Sequence, residues 1–80
     1  MNSNKQNLIN KIIYRSQYRG TKEMDIFVGN FVKSIVHNLP IDDLKDLDLL
    51  VNMNDEDIKK ILSGKKKFNN NKILKFLKEF

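Results

Sequence analysis

The sequence predicts an all-α fold: a compact five-helix bundle forming a single small domain over residues 1–80. Two observations lead there. Apolar residues recur at three-to-four spacing in five stretches, the period of a helix that buries one face, and no stretch reads as a strand. Between the stretches lie helix start and stop residues, with only brief connections, the pattern of helices packed as a bundle. A chain of this length buries only about 60% of the surface it exposes unfolded, which leaves room for one modest core and no second lobe.

Each element has its own justification. Leu8, Ile9, Ile12 and Ile13, with Asn4 as N-cap, predict a first helix running to about Tyr18. Gly20 stands where that pattern stops, so it is expected in the left-handed conformation that ends helices, with Arg19 beside the negative end of the same helix. Thr21 is placed to cap a second helix, and Glu23 and Asp25 fall in its first turns, where carboxylates are favoured. Met24, Phe27, Val28, Phe31 and Ile35 carry that helix to near Asn38, because Pro40 disfavours helical geometry just before it. Gly29 within it costs about 1 kcal/mol relative to alanine, which is read as close packing of a neighbouring helix. Leu44, Leu47, Leu50 and Val51 make a third helix. Asn54 caps a fourth, with Asp55, Glu56 and Asp57 in its first turn, Ile58, Ile61 and Leu62 facing inward and Gly64 ending it. Lys65 to Asn70 reads as a polar loop, and Ile73, Leu74, Leu77 and Phe80 as the last short helix. There is no internal repeat and no low-complexity linker.

Net charge is +5 and the isoelectric point about 9.6, a balance that ordinarily points to nucleic acid or an anionic surface. The charge is banded, however. Residues 1–40 carry six basic and two acidic side chains, residues 41–57 one and seven, and residues 58–80 eight and one. An acidic middle band repels phosphate and weakens any arrangement in which the whole domain lies along a duplex. The many Asn and Lys residues look like genome composition. The absence of cysteine excludes disulfides, thiolate metal sites and cysteine nucleophiles. No apolar run approaches the ~20 residues of a membrane span, and the N-terminus lacks the layout of a secretory signal. The expectation is a soluble, intracellular protein without membrane insertion.

Catalytic chemistry finds little support. His37 is the single histidine, so a multi-histidine metal site cannot form, and its place near a helix C-terminus suits a cation at the dipole's negative end. Asp46, Asp48, Asn52, Asn54 and Asp57 lack the glycine and the spacing of a calcium loop and read as helix faces and caps. Gly64 with Lys65, Lys66 and Lys67 lacks the glycine spacing of a phosphate loop. No catalytic or metal-ligating residue is assigned, and none is assigned to a cofactor.

The stretch from Tyr18 to Asp25 is different. Its residue types all serve local turns and caps, but Arg15, Arg19, Lys22, Glu23 and Asp25 together make a mixed-charge knob on a helical hairpin. Mixed-sign, hydrogen-bonding surfaces suit protein partners better than phosphate backbones.

The run Arg19-Gly20-Thr21-Lys22-Glu23-Met24-Asp25 resembles the R-G-x-x-E-x-D signature of the succinate dehydrogenase assembly factor family, the small flavinator proteins of bacteria and mitochondria. Tyr14-Arg15-Ser16 and Gly29-Asn30-Phe31 resemble its bacterial members. Leu50-Val51, Asn54 to Ile58 and Ile61 to Gly64 are similar to the family's leucine pair, acidic cap and helix end. Three positions depart from the pattern: Ile61 replaces a tryptophan, Asn54 the first acid of the cap, and Tyr18 a second arginine. The first two still suit an inward face and an N-cap.

The resemblance implies a factor that helps attach FAD covalently to a histidine of the flavoprotein subunit of succinate dehydrogenase and, in some bacteria, of fumarate reductase. It implies a partner-binding set of Arg15, Arg19, Gly20, Glu23 and Asp25, with FAD belonging to the partner and not held stably by this chain. The expected molecule is a monomeric, non-enzymatic assembly factor of the bacterial cytoplasm, since the resemblance begins too near the N-terminus for a long targeting extension. The alternative is a small helical nucleic-acid-binding module using Arg15, Arg19, Lys22 and Lys65 to Lys67 on phosphates. A structural adaptor with no flavin connection is a third.

Overall fold

The computed structural model describes residues 2–80, which form five α-helices and one 3-10 turn, with no strand among the described residues. The helices are α1 (Asn2–Ser16), α2 (Lys22–Ile35), α3 (Ile41–Val51), α4 (Asp55–Leu62) and α5 (Asn71–Glu79); the 3-10 turn is Val36–Asn38.

The apolar periodicity becomes one core. Ile9 and Ile12 of α1 meet Val28, Phe31 and Val32 of α2, Leu44, Leu47, Leu50 and Val51 of α3, Ile58 and Ile61 of α4, and Ile73 and Leu77 of α5. Helix α1 packs against both α2 and α3. Ile61, which stands where the family pattern has tryptophan, is fully inside this core.

Caps close most helices as their residues dictate. Thr21 Oγ1 accepts from the Met24 amide at 3.2 Å, and Asn54 Oδ1 from the Asp57 amide at 2.8 Å. Gly64, at φ +82°, ends α4. There the Lys65 amide donates to the Lys60 carbonyl at 2.8 Å and the Gly64 amide to that of Ile61 at 3.2 Å, the paired bonds of a Schellman end. Leu39, before Pro40, is extended, and helical geometry stops at Asn38. Gly29 is buried where α2 meets the end of α1, but the packing there does not require a glycine: a Cβ would lie 3.9 Å from the Ser16 carbonyl oxygen, an ordinary contact.

Several expectations need correction. Helix α1 already includes Asn4, which is therefore not its cap, and it ends at Ser16 instead of near Tyr18. Gly20 does not take the left-handed conformation; Gly64 is the one glycine at positive φ among the described residues. The Lys65–Asn70 segment is not simply polar, since Phe68 is buried and Asn70 caps α5 by accepting from the Ile73 amide at 3.1 Å. Phe80 lies just beyond α5, half exposed, with its ring edge-on to Phe27 and Phe31 at centroid distances of 5.8 and 5.6 Å.

Candidate functional site

The α1–α2 connection carries the mixed-charge stretch, and it is held from both sides. Asp25, in the first turns of α2, reaches back to accept from the Arg19 backbone amide. The Arg19 guanidinium then turns away from solvent. Its Nε donates to Asp55 Oδ1 at 2.9 Å, and its two terminal nitrogens donate to the carbonyls of Val51 and Met53. The side chain is only 5% exposed.

The chemistry of this tie follows from the helix ends. The last carbonyls of α3 lack intrahelical donors and sit at a negative dipole end, while Asp55 occupies the first turn of α4. A planar fork of donors satisfies both ends at once, which a point-charge ammonium does not. Arg19 was expected at the end of α1; it serves the end of α3 instead.

With Arg19 turned in, the neighbouring residues face outward around a cleft of about 530 Å³ between the end of α1 and the α3–α4 turn. Tyr14 and Tyr18 form one wall, with rings 4.7 Å apart and both well exposed. Asn52, Met53 and Asn54 form the other. Arg15 lies on the rim and donates to Asn52 Oδ1, a neutral partner, so its charge stays uncompensated there. Gly20 is exposed at the mouth, and a Cβ on it would stand 3.5 Å from Asp55 Oδ2, an ordinary contact.

The structure therefore divides the five site residues expected from sequence. Arg15, Gly20 and Glu23 are exposed, whereas Arg19 and Asp25 are engaged in holding the loop. Sequence reading missed Asp55 as the partner of Arg19, and it missed Tyr14, Asn52 and Met53 as cleft walls. A turn carbonyl's need for a donor leaves no mark on residue identity, so those contacts were not legible.

Among the described residues, no histidine, cysteine, serine or lysine lines this cleft, and its one carboxylate is held by a guanidinium. The arrangement offers hydrogen-bonding groups and two aromatic faces to a polar surface. Acidic residues once weighed as a calcium loop are otherwise occupied: Asp48 pairs with Lys11 at 3.3 Å, Asp46 accepts from Asn70 at 2.9 Å, and Asn54 caps α4. His37 lies exposed in the 3-10 turn. No helix among the described residues is long and apolar enough to cross a membrane.

The family model described as the flavinator of succinate dehydrogenase matches residues 10–80. The chain is 35% identical over 60 residues to succinate dehydrogenase assembly factor 2, mitochondrial, of Arabidopsis thaliana, an overlap of 75% of this chain and 32% of that protein. It is 36% identical over 53 residues to the protein of the same name from Dictyostelium discoideum, covering 66% of this chain and 38% of the relative. The chain thus spans about a third of the length of these curated relatives. No solved structure matches it. The matched span contains the whole Arg19–Asp25 loop, its anchor Asp55 and the Schellman end of α4, and the chain belongs to the family of succinate dehydrogenase flavinators, the succinate dehydrogenase assembly factors.

Proposed function

We propose that this chain binds the flavoprotein subunit of succinate dehydrogenase through the Gly20 cleft and promotes covalent attachment of FAD to it, acting as a monomeric helper without a catalytic step of its own. One observation carries the docking reading. Gly20 is the second residue of the family motif, yet nothing among the described residues needs a glycine there: its φ is not positive and a Cβ would fit. A missing side chain at an exposed cleft mouth gains its value from a second backbone that approaches closely.

The roles then separate. Arg15, Glu23 and the two tyrosines contact the partner, while Arg19 and Asp25 position the loop that presents them. FAD enters as the partner's own substrate for attachment. This chain contributes orientation, fixing the subunit in the arrangement from which flavin and acceptor histidine react. The same surface would serve the flavoprotein of fumarate reductase where a cell uses one. The bacterial cytoplasmic setting rests on the motifs shared with bacterial members; the relatives named above are called mitochondrial.

Titrating the apo-flavoprotein subunit with wild type and with Gly20→Ala tests the docking surface. The variant should fold as wild type does and bind at least about tenfold more weakly. Equal binding by the two proteins would remove Gly20 from the interface. A parallel titration with duplex DNA across a salt series separates the nucleic-acid reading, which requires tight binding that falls steeply with salt.

A further inference from the structure

We propose, resting on the docking reading above, that the partner-binding surface continues from the Gly20 cleft across the end of α3 into a second groove at Leu49. That groove takes an apolar side chain of the same flavoprotein subunit, from a segment that carries a carboxylate on either side of it.

Among the large apolar residues described, the three most exposed are Tyr18 at 68%, Tyr14 at 64% and Leu49 at 60%. Single exposed apolar residues are ordinary. These three border two adjoining clefts that share Asn52 and Met53, the second of about 330 Å³ and walled on its far side by Lys67 and Phe68. An apolar surface gathered in this way marks an interaction site. Leu49 also has no role in the fold, because α3 buries Leu44, Leu47, Leu50 and Val51 on its inner face and leaves Leu49 on the outer one.

Charge indicates what the groove accepts. Arg15 at one end has only the neutral Asn52 as side-chain partner, and Lys67 at the other makes no ion pair among the described residues. Of the acids nearby, Asp55 is paired with Arg19 and Asp48 with Lys11, while Asp46 on the groove wall accepts from the neutral Asn70 side-chain amide, which leaves its charge in place. The surface therefore presents cation, apolar strip, cation, with one carboxylate, Asp46, tied back to Asn70 on the groove wall, and the complement to its ends and middle is a carboxylate, an apolar side chain and a second carboxylate. Apolar anchors near the middle of an interface with charges at its rim are the usual distribution of binding strength.

Binding of the full chain to the apo-flavoprotein subunit, followed in real time by biolayer interferometry, tests this with Leu49→Ser and Lys67→Glu. Both positions are exposed, so both variants should melt as wild type does. Leu49→Ser should weaken binding about tenfold or more, mainly through faster dissociation. Lys67→Glu should slow association several-fold at low salt, with the difference shrinking as salt is added. If wild type binds and Gly20→Ala does not, while both new variants match wild type, the second groove is wrong and the Gly20 cleft stands. If wild type itself fails to bind the subunit, the docking reading and this extension fall together.

Discussion

Three glycines separate three uses of the same residue. Gly64 is held at φ +82°, where an L side chain is strained, so Gly64→Ala should cost about 1 kcal/mol in urea unfolding. Gly29 sits in regular helix with space for a methyl group beside the Ser16 carbonyl, so Gly29→Ala should gain up to about 1 kcal/mol in the same measurement. Gly20 should show neither effect on stability, and its substitution should be felt in binding. Gly64 was legible because an apolar helical pattern stops just before it. Gly20 looked alike in sequence and was not, because α1 ends earlier and an irregular Gln17–Thr21 connection carries the chain onward without a left-handed residue.

Among the elements, the α3–α4 turn depends for its order on Arg19, a residue outside it. Arg19→Ala leaves the Val51 and Met53 carbonyls and the Asp55 carboxylate without their donor. It should destabilise the domain by about 2–3 kcal/mol, and Arg19→Lys should recover only part of that, because an ammonium cannot reproduce the fork. Loss of activity in an Arg19 variant would therefore report loop collapse as much as a lost contact. The helices themselves were readable, since periodicity, Thr21, Asn54 and Pro40 act within a few residues of where they stand. Burial of Phe68 and the cap at Asn70 were not. The burial of Phe68 depends on how α5 returns to α3, a long-range contact with no local signature, whereas the Asn70 cap is a local bond from the Ile73 amide, hidden in sequence among three consecutive asparagines.

Across the whole molecule the charge bands become internal ties. Asn70 Nδ2 donates to Asp43 and Asp46 at 2.9 Å, and Lys72 Nζ lies 3.0 Å from Asp43, joining α5 to α3. The hydrogen bond from Asn70 first, and then the Lys72 ammonium, hold the Asp43 carboxyl below its ordinary value of 3.8. A carboxyl depressed by folding adds stability that is present above that ordinary value and is lost as pH falls through the folded one. Thermal melting of wild type should accordingly drop more steeply on acidification from about pH 5 to about pH 3 than that of Asp43→Asn; equal slopes would remove this tie from the account. The bundle, its charge bands and the family motif were all apparent in the sequence, whereas the way the acidic band is consumed by Lys11, Arg19, Asn70 and Lys72 required the packing. The most direct test of the central claim is in-gel flavin fluorescence of the apo-flavoprotein subunit incubated with FAD, alone, with wild type and with Gly20→Ala. Covalent flavin survives denaturation, so the account predicts a fluorescent subunit band that forms faster with wild type and stays at the unassisted rate with Gly20→Ala. A band that forms equally fast with and without this protein would contradict it.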